Sequence, residues 1–381
     1  MITVGKTRTE RSGGWSRLTA DIGFGGRRAE LWFGVPDVQE KYLTANRADP
    51  FVAVLLPFAM RSGEDISAED PVSERLRFQL RNDFIPSLSG AGEYYKPVSV
   101  LAPLTAESTE SENAVVTGFS GGVDSLYTVL RHGKDSEYPL THLAVFNSGV
   151  YEGKKYREEF LSRCGRADEF ARLHGLGTVF VDSNIYEVLP ERYLDVVTIR
   201  LAGFALAIQG LCSVFMISSG YPFERFSIDV HHAVCFDPLT VNCFATESLS
   251  FYLSGAETGR IRKIEALSDW EPSYEWVSPC IGGAPGKMNC GHCKKCVRDL
   301  AVLYALGSLD RYSRVFDTGD YMRHLPERLG FVMANERDPI SREIVRLIEE
   351  RGVPVPPLAF RCRDLFRDAM ERIEKEAGTD G

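Results

Sequence analysis

Between residues 114 and 221, short apolar runs alternate with longer runs of helical periodicity, and this alternation constrains the fold most. The runs AVVTGF, THLAVFNSG, TVFVDSN and SVFMISSGY predict four strands, because they are short and rich in β-branched and aromatic residues. The longer runs between them predict helices, and Gly175 is a stop signal for one of these. Strand–helix alternation is typical of a parallel sheet covered by helices, so we predict an α/β core.

The ends of the predicted strands carry small or polar residues, among them Gly118, Asn147 and Asp182. Ligands of parallel α/β sheets bind at the carboxyl ends of the strands. We therefore expect a ligand site at that edge of the core.

The rest of the chain predicts two further regions. Residues 1–112 contain short apolar runs interrupted by glycine and proline, and a helix with Ser73 as its N-cap, which indicate a β-rich α+β domain of unknown role. The polar segment 105–113 predicts an exposed connection. The core then covers residues 113–300, and the amphipathic runs of residues 301–381 predict a helical region that packs against it.

Composition narrows the class of partner. The 381 residues carry a net charge of −9, so there is no broad basic surface and a nucleic-acid partner is not expected, although a local basic groove stays compatible. No run of 18 apolar residues occurs and the first residues lack the apolar part of a secretion signal, so no membrane partner is expected. The nine cysteines, four of them clustered, favour a reducing cytoplasm and a metal site over disulfides.

The stretch SGGVDS stands between the first predicted strand of the core and its helix. Glycines there allow left-handed backbone and close approach of a ligand, and the free N–H groups of the helix start attract an anion such as phosphate. The carboxylate in this turn repels phosphate unless a cation intervenes, so it is interpreted either as a helix N-cap or as a group that orients Mg²⁺ or the loop. Gly118, Ser120, Gly121, Gly122 and Ser125 are the predicted phosphate-binding residues, and Asp124 carries the carboxylate.

Four cysteines, Cys280, Cys290, Cys293 and Cys296, follow the spacing C-x9-C-x2-C-x2-C. Thiolates two residues apart can turn back onto one ion, and four of them satisfy tetrahedral Zn²⁺ in a closed structural site. Redox chemistry of a cysteine pair and iron–sulfur binding are the alternatives.

Two weaker patterns leave their alternatives open. His231, His232, Cys235 and Cys243 suggest either a second metal site or a polar loop over the sheet end, and the polar loop is favoured.

The second pattern is a basic segment before the cysteines, which contains Arg260, Arg262 and Lys263. These side chains face either a phosphate or solvent, and a solvated basic face is favoured.

In its strand–turn–helix context, SGGVDS resembles the phosphate loop of the PP-loop (N-type) ATP pyrophosphatases, and it lacks the Lys-Ser/Thr pair of a Walker A loop. Together with VFNSG, ISSGY and CGHCKKC preceded by Cys280, it resembles the 7-cyano-7-deazaguanine synthase (QueC-like) family. The resemblance covers about residues 114–300.

The resemblance implies a fold, a reaction and three cofactors. The fold is an adenine nucleotide alpha hydrolase-like (PP-loop) core with a zinc knuckle. ATP adenylates the carboxylate of 7-carboxy-7-deazaguanine and releases pyrophosphate, an amine displaces AMP to give an amide, and a second ATP-dependent step dehydrates the amide to a nitrile. ATP, Mg²⁺ and Zn²⁺ are the implied cofactors.

The resemblance also assigns roles to individual residues. The turn from Ser120 to Ser125 would hold pyrophosphate, with Asp124 as a catalytic residue, and Asn147 would meet the adenosine. Arg200 is a candidate catalytic phosphate clamp, with a surface salt bridge as its alternative.

A further pair of aromatic residues, Phe223 and Phe226, together with Asp229, would suit a guanine-like base. This assignment rests on residue types alone.

The chain extends beyond the core by about 110 residues before it and by a helical tail after it, and in this extended form it resembles the QueC-like proteins of bacterial antiphage defence. There the acceptor would be a protein amine instead of ammonia, and a homodimer is compatible with the sequence. The alternative function is a PP-loop tRNA-modifying enzyme of the thiolation type, and a nucleotide-sensing scaffold without turnover is a third reading.

Overall fold

The computed structural model describes residues 1–150, 156–189, 191–280, 288–335 and 337–377. The chain divides into two compact units. The first unit contains residues 1–120 and 131–257, and the second contains residues 121–130 and 258–381. These units are grouped differently from the predicted domains 1–112, 113–300 and 301–381, which stay a prediction.

The strands of the described residues all lie in the first unit. Eleven of them form one sheet, in the order β13-β12-β9-β10-β11-β4-β3-β1-β5-β7 with β2 added beside β3, and β6 pairs with β8. The strands are β1 (Ile2–Val4), β2 (Arg8–Ser12), β3 (Trp15–Phe24), β4 (Arg27–Pro36), β5 (Ile66–Ala68), β6 (Val72–Ser73), β7 (Val100–Leu101), β8 (Leu104–Thr105), β9 (Ala114–Gly118), β10 (His142–Phe146), β11 (Gly177–Ser183), β12 (Cys212–Ser218) and β13 (Ser250–Ser254).

The predicted α/β architecture with a mostly parallel central sheet is confirmed. The five strands from β13 to β11 are parallel to one another, and the four predicted core strands are β9 to β12. Buried residues such as Val116, Val179 and Phe215 come from these strands, as expected for a sheet covered on both faces. The fifth strand, β13, was not predicted from the sequence.

The N-terminal strands continue the same sheet. Strand β4 runs antiparallel to β11, with Gly34 opposite Asp182 and Phe33 opposite Ser183. Further along β11, the side chain of Gln39 replaces a partner strand, since its amide nitrogen donates to the carbonyl oxygen of Thr178 at 2.8 Å. Residues before the parallel core therefore satisfy the outer backbone groups of β11.

The helices follow the predicted pattern in the core and in the C-terminal region. Shorter 3₁₀ segments cover Asp37–Tyr42, Phe223–Arg225, Ala233–Phe236 and Leu309–Tyr312, and a π-helical segment covers Leu80–Phe84. The α-helices are α1 (Asp49–Ser62), α2 (Glu74–Gln79), α3 (Ile85–Gly90), α4 (Val123–Arg131), α5 (Tyr156–His174), α6 (Ile185–Val188), α7 (Tyr193–Ala207), α8 (Asp237–Cys243), α9 (Arg260–Ser268), α10 (Pro272–Trp276), α11 (Lys294–Ala305), α12 (Thr318–Arg323), α13 (Leu325–Ala334), α14 (Pro339–Glu350) and α15 (Pro357–Ala377).

Close helix packing stabilises the first unit. Helices α1 and α7 meet at Gly203, where a Cβ atom would lie 2.4 Å from a methyl group of Val54. The predicted N-cap of α2 is confirmed, because the Ser73 hydroxyl accepts a hydrogen bond from the backbone N–H of Leu76 at 2.9 Å.

The second unit is helical and is built on α4 and on α9 to α15. Helices α13 and α15 approach so closely at Gly330 that a Cβ atom there would lie 2.6 Å from the Cβ of Cys362. Helix α14 buries Ile344 and Ile348 on one face, as its amphipathic sequence predicts. Within the described ranges, every helix is too short or too polar to span a lipid bilayer.

Candidate functional site

The four predicted cysteines converge in the second unit. Their Sγ atoms all lie within 4.8 Å of one another, and those of Cys290 and Cys296 are 3.9 Å apart. A tetrahedral Zn²⁺ with Zn–S bonds of about 2.3 Å has S–S edges of about 3.8 Å. The cluster therefore fits one metal ion such as zinc, and the predicted ligand set is brought together.

The backbone around the cysteines is shaped for this convergence. Gly291 has φ +75°, a left-handed conformation that turns the chain directly after Cys290. The backbone N–H of Cys293 then donates to the Cys290 sulfur at 3.3 Å. Such N–H donors stabilise a thiolate and orient it toward an ion.

Asn289 connects the two cysteine segments, and the sequence did not single it out. It is buried, and its side-chain oxygen accepts from the backbone N–H of Cys280 at 3.3 Å. Its amide nitrogen donates to the carbonyl oxygens of Val277 at 2.9 Å and Val315 at 3.1 Å. This side chain therefore holds Cys280 beside the other three cysteines.

The thiols of the cluster differ in acidity. Burial opposes ionisation of Cys290, but hydrogen bonds from the backbone at His292 and Cys293 lower its pKa to about 6. Burial raises the pKa of Cys296, which lies in the first turn of α11. Thiolates this close repel one another, so a bound cation is the natural compensation for their charge.

A second cluster joins the first turn of α4 to the first turn of α9. One carboxylate oxygen of Asp124 lies 3.2 Å from Nη1 of Arg260, and the other lies 3.0 Å from Nζ of Lys263. Arg260 and Lys263 are one turn apart and face the same way, and the Lys263 side chain is only 1% exposed. Arg262 instead pairs with Glu265 at the surface. The solvated face that the sequence favoured therefore applies only to Arg262.

Asp299 completes this cluster from helix α11. Its two carboxylate oxygens accept from Nε and Nη2 of Arg260, both at 2.9 Å, in a bidentate pair. Burial raises the pKa of Asp299 although Arg260 opposes the shift. Burial disfavours the charged guanidinium, but Asp299 and Asp124 outweigh it and raise the pKa of Arg260. Arg260 therefore stays a cation fixed between two carboxylates.

Asp299 was not predicted from the sequence as a site residue. The sequence feature that could have indicated it is its position three residues after Cys296, because residues at this spacing lie on one face of a helix.

The glycine turn has the predicted strand–turn–helix form. Gly121 has φ +72°, and the backbone N–H of Ser278 donates to its carbonyl oxygen at 2.6 Å. The helix begins at once, since the N–H of Leu126 donates to the carbonyl oxygen of Gly122 at 3.0 Å. The hydroxyl of Ser125 also donates to that oxygen, at 3.1 Å, and so stabilises the turn itself.

Three other predicted site residues belong to the first unit. Gly118 ends β9, and a Cβ atom added there would have no neighbour within 4 Å. The carbonyl oxygen of Ser120 accepts from Nη1 of Arg163 at 3.2 Å. Asn147 is buried after β10, and its amide nitrogen donates to Asp182 at 2.7 Å. Their predicted contacts with ATP stay predictions.

Arg200 is fully buried within α7. Its guanidinium donates to the carbonyl oxygens of Leu189 at 2.7 Å and Ser148 at 3.2 Å, and it lies 3.4 Å from the Glu191 carboxylate. Glu191 in turn pairs with Arg61 at 2.8 Å. These contacts give Arg200 a structural role in the first unit, and its role as a phosphate clamp stays a prediction.

The remaining candidates lie in the loop after β12. Phe223 and Phe226 are exposed, and Asp229 accepts a hydrogen bond from the backbone N–H of His231 at 3.0 Å. In the part of the chain that the structure describes, the four cysteines are the only group of three or more His, Cys, Asp and Glu residues whose ligand atoms converge. The polar-loop interpretation of His231, His232, Cys235 and Cys243 is therefore retained.

The arrangement was compared with known proteins. No protein-family model, curated protein or solved structure matches the chain.

Proposed function

We propose that the chain is a QueC-like, PP-loop ATP-dependent ligase that adenylates a 7-deazaguanine carboxylate and transfers the acyl group to an amine. One observation carries the proposal. The SGGVDS turn starts helix α4, and Asp124 in its first turn is contacted by the cations Arg260 and Lys263.

Arg260 and Lys263 compensate the negative charge of Asp124, which would otherwise repel phosphate. Arg260 and Lys263 carry two positive charges and Asp124 and Asp299 carry two negative charges, so the cluster is neutral and the charge of Asp124 is compensated at the start of α4. The helix dipole adds about half a positive charge at the same end. Phosphate oxygens are the same kind of acceptor as the carboxylate oxygens that Arg260 and Lys263 contact here, which supports phosphate binding at this turn.

The proposed chemistry needs such a cluster because both reactants are anions. A carboxylate oxygen of the substrate attacks the α-phosphorus of ATP, and the bond to the bridging oxygen breaks to release pyrophosphate. The amine then attacks the acyl carbon, a proton leaves the nitrogen, and AMP departs with the carboxyl oxygen. Arg260, Lys263 and the first N–H groups of α4 would stabilise the charge on the departing pyrophosphate.

The proposed metals have separate tasks. Zn²⁺, held by Cys280, Cys290, Cys293 and Cys296, would fold the segment between α10 and α11. Mg²⁺ would accompany ATP and offset the phosphate charge. The amine is ammonia or an amine of a protein, and dehydration of the amide to a nitrile is part of the same proposal.

The proposal is tested by product analysis. The protein is incubated with ATP, Mg²⁺, 7-carboxy-7-deazaguanine and ammonium, and AMP, pyrophosphate and the amide are measured by mass spectrometry. We expect equal amounts of AMP and pyrophosphate, formed only when the acid is present. Release of ADP, or transfer of sulfur to tRNA without consumption of the acid, would refute the ligase and favour another function.

The matched pair of variants is Arg260→Ala and Arg262→Ala. Both remove an arginine from α9, but only Arg260 contacts Asp124, whereas Arg262 pairs with Glu265 at the surface. We expect loss of AMP formation in the first variant and wild-type activity in the second. Equal activity of the two variants would exclude Arg260 from the site.

A further inference from the structure

Helix α11 carries one residue of each cluster in the second unit. The helix begins at Lys294, directly after Cys293, and Cys296 lies in its first turn. Asp299 follows three residues later, about one turn along the same face. A metal ion held by Cys293 and Cys296 would therefore fix the start of the helix that presents Asp299.

Asp299 makes a more extensive contact with Arg260 than Asp124 does. It binds Nε and Nη2 together, both at 2.9 Å, whereas Asp124 contacts only Nη1, at 3.2 Å. A bidentate pair fixes both the position and the plane of a guanidinium. Since Asp299 is buried and its pair with Arg260 is confined by packing, a shift of α11 would move Arg260 as well.

The far side of α11 has a separate anchor. Arg298 donates to Asp338, which also accepts from the backbone N–H of Ser341 at 3.0 Å and so caps helix α14. This contact does not involve the cysteines or Arg260. The helix therefore keeps one attachment when the first turn is loosened.

We propose that Asp299 is a positioning residue for Arg260, and that the metal held by the four cysteines sets phosphate affinity through helix α11. The inference rests on the proposed function, in which Arg260 binds a phosphate of ATP. It gives the metal a task beyond folding, because occupancy of the cysteine cluster tunes the strength of triphosphate binding.

The first arm of the test measures binding of ATP and of AMP by calorimetry in the wild type and in Asp299→Asn. The variant keeps the shape of the side chain but removes the charge that orients Arg260. We expect ATP affinity to fall about tenfold or more, with a much smaller change for AMP, because only the outer phosphates are affected. A structural defect would weaken both ligands alike.

Asp338→Asn is the matched control. It removes a carboxylate that pairs with an arginine of the same helix, Arg298, but it keeps both carboxylate partners of Arg260, Asp124 and Asp299. We expect its ratio of ATP to AMP affinity to equal that of the wild type. A ratio lowered as much as in Asp299→Asn would assign the effect to general loosening of α11 and overturn the role of Asp299.

The second arm removes the metal with a chelator, checks folding by circular dichroism, and restores the metal with Zn²⁺. We expect the depleted protein to stay folded, to lose its preference for ATP over AMP, and to regain it with Zn²⁺. In Asp299→Ala, metal depletion should change the ratio of ATP to AMP affinity little. The substitution and the depletion act through the same contact, so their effects are not additive. The coupling between metal occupancy and triphosphate binding would be overturned by any of three results. These are additive effects of substitution and depletion, an unchanged ratio of ATP to AMP affinity in the depleted wild type, and unfolding on depletion.

The two proposals fail differently. A wild-type protein that binds no ATP overturns the proposed function, and the inference with it. A wild-type protein that binds ATP tightly but shows no effect of Asp299→Asn overturns the inference alone.

Discussion

Asp124 and Arg260 are 136 residues apart in the sequence, yet their side chains lie 3.2 Å apart. The contact joins the first turn of α4 to the first turn of α9 within the second unit. An acidic residue in a turn of phosphate-binding type is thereby neutralised by the protein itself. The cluster can then accept an anion that Asp124 alone would repel.

Replacing Asp124 tests this compensation. In Asp124→Asn, Arg260 and Lys263 lose a charged acceptor and repel each other more strongly. Because Asp124 is partly exposed, we expect the free energy of unfolding to fall by only about 1–2 kcal/mol, measured by urea denaturation. AMP formation should be lost in the same variant. Unchanged stability would show that the two cations do not depend on this carboxylate.

Metal content tests the cysteine cluster. We expect the purified protein to carry about one zinc ion per chain, and Cys290→Ser to lose most of it, measured by elemental analysis. Cys235→Ser is the control, since that thiol is also partly exposed but lies outside the cluster. Full zinc content in Cys290→Ser would contradict the ligand set, and iron in its place would favour a cluster of another kind.

Two helical glycines form a matched pair for stability. In Gly330→Ala the new Cβ atom would lie 2.9 Å from the carbonyl oxygen of Ala359, a backbone atom that cannot rotate away. We expect a loss of about 1–3 kcal/mol in unfolding free energy. Gly165→Ala in α5 meets no atom within 4 Å and should gain about 0.5–1 kcal/mol. Equal effects in thermal denaturation would refute the close α13–α15 packing.

The raised pKa of the buried Asp49 carboxyl group leads us to expect that the stability of the protein depends on pH. Burial raises its pKa to about 6, although the backbone N–H of Ser73 donates to it at 2.8 Å and opposes the shift. The folded state therefore binds the proton more tightly than the unfolded state, whose pKa is about 3.9, and stability falls as pH rises between these values. The full difference between the folded and unfolded pKa values corresponds to about 3 kcal/mol of unfolding free energy.

Asp49→Asn isolates this effect because an amide does not titrate. We expect the unfolding free energy of the variant relative to wild type to be constant below about pH 4, to rise between pH 4 and pH 6, and to level off above. Urea denaturation at several pH values measures the difference. A difference that is flat with pH would contradict the displaced pKa.

The sequence predicted those parts of the structure that depend on local pattern. The strands β9 to β12 were recognisable because their apolar runs are short and end at glycine or polar residues. The cysteine cluster was recognisable because the spacing C-x9-C-x2-C-x2-C is typical of a zinc site. Strand β13 was missed because its five residues, SFYLS, mix polar and apolar types without a clear alternation.

Contacts between distant segments were not predictable in the same way. The pairing of β4 with β11 leaves no local mark on either strand, since Gly34 and Phe33 are ordinary residues for a strand end. The basic segment around Arg260 was visible, but its acceptor was not. Only the fold shows that Asp124 and Asp299 meet the same guanidinium.

The junction at β11 has a consequence for how this chain could be shortened. Strand β11 pairs with β10 on one side, while β4 and the side chain of Gln39 cover its other side. A fragment starting at residue 113 would expose that row of amide and carbonyl groups, which is a template for self-association. We therefore expect such a fragment to self-associate, because residues 1–112 cover this edge of β11 in the intact chain.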